Sequence, residues 1–177
     1  MIDITPPLDH KTVEMLKAGD LISLSGEIYT GRDAAHKRML ELLDSGEPLP
    51  FDPQGQIIYY TGPCPPPPGR VIGSCGPTTS LRMDKYTPRL IKEGLRFMIG
   101  KGGISQNVVD SIKLYKGIYL SAVGGAGALL SLCVEKSELI AFGDLGTEAI
   151  HKFTVKKMPL TVSVDCFGGS IQRVKKH

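Results

Sequence analysis

The sequence predicts an α/β fold with mixed sheets, and two patterns carry that prediction. In the middle of the chain, short β-type runs alternate with helical ones, and Gly or Pro marks most of the junctions. Such alternation favours parallel β-α-β crossovers. The last third contains only strand-like segments, ELIAFGD, HKFTVKK and LTVSVDCFGG, which predict additional antiparallel strands. A chain of 177 residues is expected to form one domain, residues 1–177.

Strands and helices are predicted from the spacing of apolar residues. Strands are expected at 21–26, 56–62, 70–76 and in the segments RFMIGKGG and GIYLSAVGG. CPPPPG should be an extended connector, since proline offers no N–H group to a sheet. Four helices are expected. The first has Ala35, Met39, Leu42 and Leu43 on one face, and the second runs from Thr79 to about Leu95 and is kinked or shortened by Pro88. The third is capped by Ser105, and the fourth is the segment AGALLSLCV.

Charge and composition exclude several classes of protein. The net charge is +3, and the basic residues form no run before the short tail Arg173, Lys175 and Lys176, so no nucleic-acid partner is expected. MIDITPPLDHKTVEML lacks the pattern of a secretory signal. No apolar stretch reaches the roughly 20 residues that span a bilayer. We therefore expect a cytoplasmic protein with no membrane contact.

The four cysteines are Cys64, Cys75, Cys133 and Cys166, and none of them forms a CxxC pair. The close spacing typical of zinc and iron–sulfur ligands is thus missing. We expect free thiols, no metal ligand and no cluster bound by this chain alone.

Three polar clusters each follow a predicted strand and precede a predicted helix. The carboxyl ends of neighbouring strands in an open α/β sheet meet at one crevice, and helix N-termini there attract anions. The recurrence of this arrangement therefore predicts one anion-binding site built from all three.

The first cluster, SGEIYTGRDAAHKRM, contains Arg32, Asp33 and His36. An arginine at a helix N-terminus is unfavourable for the helix dipole, which indicates an anionic partner. A surface pair between Arg32 and Asp33 is the alternative. His36 could orient a carboxylate or relay a proton, or it could be a structural histidine.

The second cluster, GSCGPTTSLRMDKY, presents the hydroxyls of Thr78, Thr79 and Ser80 at a helix entry, with Arg82 about one turn after Thr78. Any of these hydroxyls could be a helix cap. An arginine fork matches a carboxylate in a bidentate manner, so two arginines suit a dicarboxylate better than a single phosphate. Phosphate remains the competing ligand.

The third cluster, IGKGGIS, sets Lys101 between glycines. It lacks the Ser or Thr that completes a phosphate loop, and GGAGA at 124 to 128 lacks the full GxGxxG spacing. Neither segment predicts a nucleotide site.

Five segments in this order resemble one family: GDLISLSGEIYTGRDAAHKRM, GPTTSLRMDKY, IGKGG, SAVGGAGALL and DLGTEAI. They are similar to the beta subunit or C-terminal domain of class I (iron–sulfur) fumarate hydratases and of tartrate dehydratase. The similarity extends from about Gly19 to Gly169. The paired GRDxAHKRM and GPTTxxRMD motifs are its most specific part.

The resemblance implies a swivelling β/β/α domain, similar to the mobile domain of aconitase. It implies an alpha subunit as partner, in an α2β2 enzyme, and a [4Fe-4S] cluster that the alpha subunit carries. A homodimer of the isolated chain is left open. The implied activity is a hydro-lyase that reversibly hydrates a small dicarboxylate and works only with the alpha subunit.

The resemblance also implies roles for individual residues. Arg32 and Arg82 would clamp the substrate carboxylates, and Lys101 would add a positive contact. Thr78 would move the C3 proton, and His36 would be an active-site residue acting through Asp33. A threonine hydroxyl is a poor base, so this role depends on positive groups that stabilise the developing charge.

Several alternatives stay open at this point. DLGTEAI and GGAGALL look closer to fumarate hydratase forms, so fumarate and L-malate are favoured over tartrate or mesaconate. A non-catalytic domain that binds a small anion would need the same clamps. A phosphosugar enzyme would use the glycine-rich turns, but the sequence contains no full phosphate loop and no obvious paired carboxylate base.

Overall fold

The chain folds around a mixed seven-stranded sheet, which confirms the predicted α/β class with parallel and antiparallel pairing. The computed structural model describes residues 1–122 and 126–172. The strands are β1 (Ile2–Ile4), β2 (Leu21–Thr30), β3 (Ile57–Tyr59), β4 (Phe97–Gly100), β5 (Ile118–Ser121), β6 (Val134–Ala141) and β7 (Ile150–Val164). The helices are α1 (His10–Met15), α2 (Asp33–Asp44), α3 (Thr87–Lys92), α4 (Gln106–Tyr115) and α5 (Gly127–Ser131), with 3-10 helices at Ser80–Met83 and Gly143–Glu148.

The strand order is β1-β2-β3-β4-β5-β7-β6. Strands β1 to β5 pair in parallel, as helical connections between strands require. Strand β7 is antiparallel to β2, β5 and β6. Because β7 pairs with both β5 and β2, the sheet is partly closed into a barrel.

Two apolar cores lie on opposite faces of the sheet. Alternate residues of a strand point to opposite faces, so Ile57 and Tyr59 of β3 join one core while Ile58 and Tyr60 join the other. The first core includes residues of α1 and α5, and the second includes residues of α2, α3 and α4. The parallel strands are therefore buried on both faces, and their ends are the places open to a ligand.

The predicted strand at 70–76 is wrong, because this segment has no strand pairing in the structure. Its backbone groups bond elsewhere. The Cys64 N–H donates to Ser74 O at 2.9 Å, the Gly73 N–H donates to Cys64 O at 3.1 Å, and the Tyr59 hydroxyl donates to Cys75 O. These bonds fold the segment back onto the proline-rich connector instead of into the sheet.

The predicted helix from Thr79 to Leu95 is two pieces, the 3-10 helix Ser80–Met83 and α3. Pro88 lies in the first turn of α3, where its missing N–H group costs nothing. Helices α2 and α4 lie where they are predicted. Helix α5 covers only part of the predicted segment AGALLSLCV, because Val134 already begins β6. Ser105 is the N-cap residue of α4 by its backbone, without a side-chain hydrogen bond to the helix.

The last features of the fold are its lack of a membrane-spanning helix among the described residues and the position of two segments outside them. Across the described residues, no helix combines the length and apolarity that crossing a bilayer requires. The basic tail Arg173, Lys175 and Lys176 lies outside the described residues, as do Gly124 and Gly125 of GGAGA.

Candidate active site

The carboxyl ends of β3 and β4 separate and admit the segment 78–80 between them. The Thr78 N–H donates to Tyr60 O at 2.6 Å, and the Lys101 N–H donates to Thr78 O at 3.4 Å. The Ser80 N–H donates to Lys101 O at 3.0 Å. Thr78 and Lys101 come from separate predicted clusters, and this ladder makes them neighbours.

Glycine is required at position 100 for this insertion. A Cβ atom on Gly100 would lie 1.9 Å from Ser80 Oγ and 3.0 Å from Tyr60 Cδ2. Ser80 Oγ also hydrogen-bonds to the Tyr119 hydroxyl at 2.8 Å, and that hydroxyl donates to Gly102 O at 2.9 Å. The backbone around Lys101 is therefore held from β5 as well as from β3.

Arg32 follows β2 and is the N-cap residue of α2, as predicted. Its side chain passes directly over Gly62, where a Cβ atom would come within 2.8 Å of Arg32 Cδ and 3.2 Å of Thr147 O. Arg32 Nε lies 3.9 Å from Glu148 Oε1, and the two side chains are 27% and 33% exposed. The guanidinium thus lies between the turn after β3 and the second 3-10 helix.

The second 3-10 helix is fastened to α2 by a further pair. Arg38 donates to both carboxylate oxygens of Asp144, at 2.7 and 2.9 Å. This bidentate contact holds the segment that ends in Glu148 beside Arg32. Neither Gly62 nor Glu148 was identified by the sequence as a site residue. Glu148 lies within the DLGTEAI segment, which is the only signal that could have indicated it.

Arg82 lies in the first 3-10 helix and reaches the start of α2. Its Nη2 atom is 3.0 Å from Asp33 Oδ2, with side-chain exposures of 55% and 30%. Asp33 is in the first turn of α2, where a negative charge favours the helix dipole. The alternative pairing of Asp33 with Arg32 is not the one that the structure forms.

His36 lies beneath Arg32 and is fully buried. Its Nδ1 atom is 2.7 Å from Arg32 O, which makes Nδ1 the protonated nitrogen in a neutral ring. Burial lowers the pKa of His36 to about 4, against the smaller opposing effects of the Arg32 carbonyl and Asp33. The ring packs edge-on to Tyr60, with centroids 5.2 Å apart. This environment suits a residue that fixes the backbone at Arg32.

Arg32, Thr78, Arg82 and Lys101 all lie at the carboxyl edge of the parallel strands. With Asp33 and Glu148 they give three positive and two negative side chains, a net excess of one positive charge. The Thr78 side chain is part-buried, and both of its backbone groups are used in the ladder. Its hydroxyl has no hydrogen-bond partner within residues 1–122 and 126–172. This arrangement can bind an anion and offer it one neutral hydroxyl.

The described residues do not fit a metal ion or an iron–sulfur cluster of their own. No group of three or more His, Cys, Asp or Glu side chains within that part of the chain could hold a metal. Cys75 and Cys166 are buried, and Cys64 is exposed. Burial raises the pKa of the Cys75 thiol to about 12, which favours the thiol over the thiolate that ligates metals.

Comparison with known proteins defines the class. A family model described as Fumarase C-terminus matches residues 1–174. The chain belongs to this family, which confirms the resemblance seen in its motifs.

Individual relatives fall into two groups. The chain is 42% identical over 168 residues to the aerobic class I fumarate hydratase of Escherichia coli (strain K12), covering 93% of this chain and 31% of that protein. It is 34% identical over 176 residues to a putative class I fumarate hydratase of Geobacillus stearothermophilus, covering 97% and 33%. It is 40% identical over 170 residues to a putative L(+)-tartrate dehydratase subunit beta of Methanocaldococcus jannaschii, covering 93% and 87%.

The lengths of these relatives differ in an informative way. The chain spans about a third of the class I fumarate hydratases that it matches. It spans most of the tartrate dehydratase beta subunit. Relatives of this chain are thus either hydro-lyase subunits of similar size or longer hydro-lyases that contain a similar segment.

Proposed function

We propose that this chain is the beta-type part of a two-part hydro-lyase, and that its reaction is the reversible hydration of fumarate to L-malate. One observation carries the proposal. In a member of the Fumarase C-terminus family, the Arg82 side chain reaches the start of α2, where Arg32 is the N-cap residue, and the Thr78 backbone is bonded to that of Lys101 at the same edge of the sheet. A dicarboxylate with a reactive carbon between its charges matches that set.

Arg32 and Arg82 are assigned to the two substrate carboxylates. The Arg32 guanidinium lies near the Glu148 carboxylate, and the Arg82 guanidinium lies near the Asp33 carboxylate. A substrate carboxylate offers the same chemistry, with better bidentate geometry than the 3.9 Å contact of Arg32. Lys101 supplies a third positive charge from the adjacent strand end.

Thr78 is assigned to proton transfer at C3. In the dehydration direction a proton leaves C3, and the electron pair delocalises into the adjacent carboxylate. A neutral hydroxyl is a weak base, so the reaction depends on Arg32, Arg82 and Lys101 stabilising that negative charge. The backbone hydrogen bonds of Thr78 to Tyr60 O and Lys101 N already hold it in place, so Thr78 needs no reorganisation during the reaction.

His36 and Asp33 are assigned to positioning rather than to contact with substrate. The buried His36 fixes the backbone carbonyl of Arg32, and Asp33 orients the guanidinium of Arg82. Both residues therefore act through an arginine. Replacing either residue should weaken substrate binding more than it slows the proton transfer.

A partner chain completes the proposal. A [4Fe-4S] cluster carried by an alpha subunit would supply a Lewis acid for the substrate hydroxyl, and no residue described in this chain is assigned to hold it. We propose that residues 1–177 form one swivelling domain that docks on the alpha subunit in an α2β2 assembly. The lengths of the relatives support a partner, since the class I fumarate hydratases are about three times longer.

L-Tartrate dehydration is the second candidate, and one observation favours it. The chain spans 87% of the putative tartrate dehydratase subunit beta of M. jannaschii, so its length matches a separate beta subunit. Mesaconate hydration uses the same type of substrate. The pair Arg32 and Arg82 would suit the carboxylates of all three substrates.

The first prediction tests the function directly. The purified chain should be inactive alone and should gain hydratase activity when it is mixed anaerobically with its cognate alpha subunit. The mixture is assayed with fumarate, L-tartrate and mesaconate, and fumarate should give the highest kcat/KM. Hydratase activity of the chain without a partner would overturn the two-part proposal, while a preference for tartrate would overturn only the substrate.

A further inference from the structure

A cavity lies at the amino-terminal edge of the parallel strands, opposite the candidate active site. It has a volume of about 330 Å³, which is within the range of small-molecule sites. We call it the amino-edge cavity, and its principal walls are Leu8, His10, Val13, Arg96, Phe97 and Lys116. Leu8, Val13 and Phe97 are buried core residues, so the floor is apolar. The rim is cationic.

The two cations of the rim, Arg96 and Lys116, pair with no carboxylate among the residues that the structure describes. Within residues 1–122 and 126–172, no ion pair or side-chain hydrogen bond involves Arg96 or Lys116, whereas Arg32 and Arg82 each have an ion pair. Arg96 Nε is buried without a hydrogen-bond partner. Lys116 Nζ lies over the face of Phe167, 4.5 Å from the ring centroid, a contact that does not neutralise its charge.

Asp9 is the acidic residue of the cavity, and its carboxylate is already engaged. Asp9 Oδ1 accepts the Thr12 N–H at 2.8 Å and caps α1. Arg96 and Lys116 together exceed this single negative charge by one. An anion that enters the cavity therefore meets a net positive rim.

The walls of the cavity are held by the backbone. The Leu8 N–H donates to Gly55 O at 2.8 Å, and the Ile118 N–H donates to Arg96 O at 3.0 Å. A Cβ atom on Gly117 would lie 2.6 Å from Arg96 O, so this turn packs too closely for any side chain. Lys116 precedes it with a left-handed φ of 56°. The cationic groups are thus presented by ordered turns and not by free loops.

We propose that the amino-edge cavity binds a small organic anion, with its carboxylate or phosphate on Arg96 and Lys116 and its apolar body on Leu8, Val13 and Phe97. This site is separate from the candidate active site. Phe97 begins β4 and Lys101 follows its end, and a strand rise of about 3.3 Å per residue puts them roughly 13 Å apart. The proposal does not depend on the hydro-lyase activity.

The test is a titration of the ¹⁵N-labelled full chain followed by backbone amide shifts. The probes are phenyl phosphate and benzoate, which distinguish a phosphoryl group from a carboxylate, with neutral benzamide as the reference. Either anion should cause saturable shifts at the amides of Leu8, Gly55, Phe97 and Gly117, while benzamide should not. Anion shifts confined to the amides around Arg32, Thr78 and Lys101 would overturn the proposal.

Three variants sharpen this test. Arg96→Met keeps the aliphatic stem and should weaken anion binding about tenfold or more, because charge-assisted hydrogen bonds are lost. Lys116→Gly relieves the left-handed backbone, so it should fold normally and still weaken binding several-fold. Lys11→Gln removes an exposed charge outside the cavity and should leave affinity within about twofold. Equal losses in Lys11→Gln and Lys116→Gly would show diffuse surface attraction and overturn the site.

Discussion

Arg32 and Arg82 both lie beside a carboxylate of their own chain, with N to O distances of 3.9 and 3.0 Å. All four side chains are partly open to solvent, and ion pairs of this kind contribute little to stability. Their value is in orientation. Glu148 and Asp33 hold the two guanidinium groups at the carboxyl edge of the sheet, where the proposed function has a substrate carboxylate replace each of them.

His36 gives the second prediction, which concerns stability and pH. Its pKa is about 4 in the folded chain and near 6.5 when unfolded, so the unfolded chain binds more protons between these values. The stability that the neutral ring contributes is present above pH 6.5 and is lost as the pH falls through about 4. His36→Asn keeps a donor near the Nδ1 position without titrating.

Urea unfolding of wild type and His36→Asn at several pH values measures this effect. The stability of wild type relative to the variant should fall by about 3 kcal/mol from pH 7 to pH 4. A constant difference between wild type and His36→Asn across this range would contradict the buried, neutral histidine.

The insertion of 78–80 between β3 and β4 is the element on which the site depends. It gives the third prediction. Gly100→Ala should destabilise the chain by about 1–3 kcal/mol, because a Cβ atom there would overlap Ser80 Oγ. It should also lower the activity of the reconstituted enzyme by displacing Thr78 and Lys101.

A double-mutant cycle separates this steric effect from a general loss of stability. Ser80→Ala removes the overlapping oxygen, so Gly100→Ala should cost less in that background than in wild type. Denaturant unfolding of the four proteins gives the coupling energy. Additive costs would mean that the backbone around Gly100 does not depend on Ser80.

Local sequence patterns predicted the elements whose apolar residues recur at a regular spacing. Strand β2 and helices α2 and α4 show clear apolar periodicity, and Arg32 appears at the helix start where the motif places it. The segment 70–76 has the composition of a strand, but its hydrogen bonds go to Cys64, Gly127 and the Tyr59 hydroxyl. Such long-range partners leave no periodic trace in the sequence.

The same distinction applies to the candidate site. Arg32 and Lys101 follow β2 and β4, as predicted, and the carboxyl ends of parallel strands meet. Thr78 and Arg82 follow the predicted strand 70–76, which does not form, and they reach the same edge because the segment 78–80 inserts between β3 and β4. The pairing of Arg82 with Asp33 and of Arg32 with Glu148 depends on how α2 packs against the two 3-10 helices. That packing is a property of the folded chain.

The whole molecule presents two cationic regions at opposite ends of its parallel strands. The carboxyl edge carries Arg32, Arg82 and Lys101, and the amino edge carries Arg96 and Lys116. The net charge of the chain is only +3, so these regions reflect the placement of charge and not its total. In the proposed assembly the carboxyl edge faces the alpha subunit, where a dicarboxylate lies between the two chains.

Arg82→Lys in the reconstituted enzyme tests the central claim most directly, because it keeps the charge and removes the bidentate fork. Arg89→Lys is the matched control, since Arg89 also pairs with a carboxylate, Asp44, on the surface of the chain. The account predicts that kcat/KM for fumarate falls about 10- to 100-fold in Arg82→Lys and stays within about twofold in Arg89→Lys. Wild-type kcat/KM in Arg82→Lys would contradict the claim that this arginine binds the substrate.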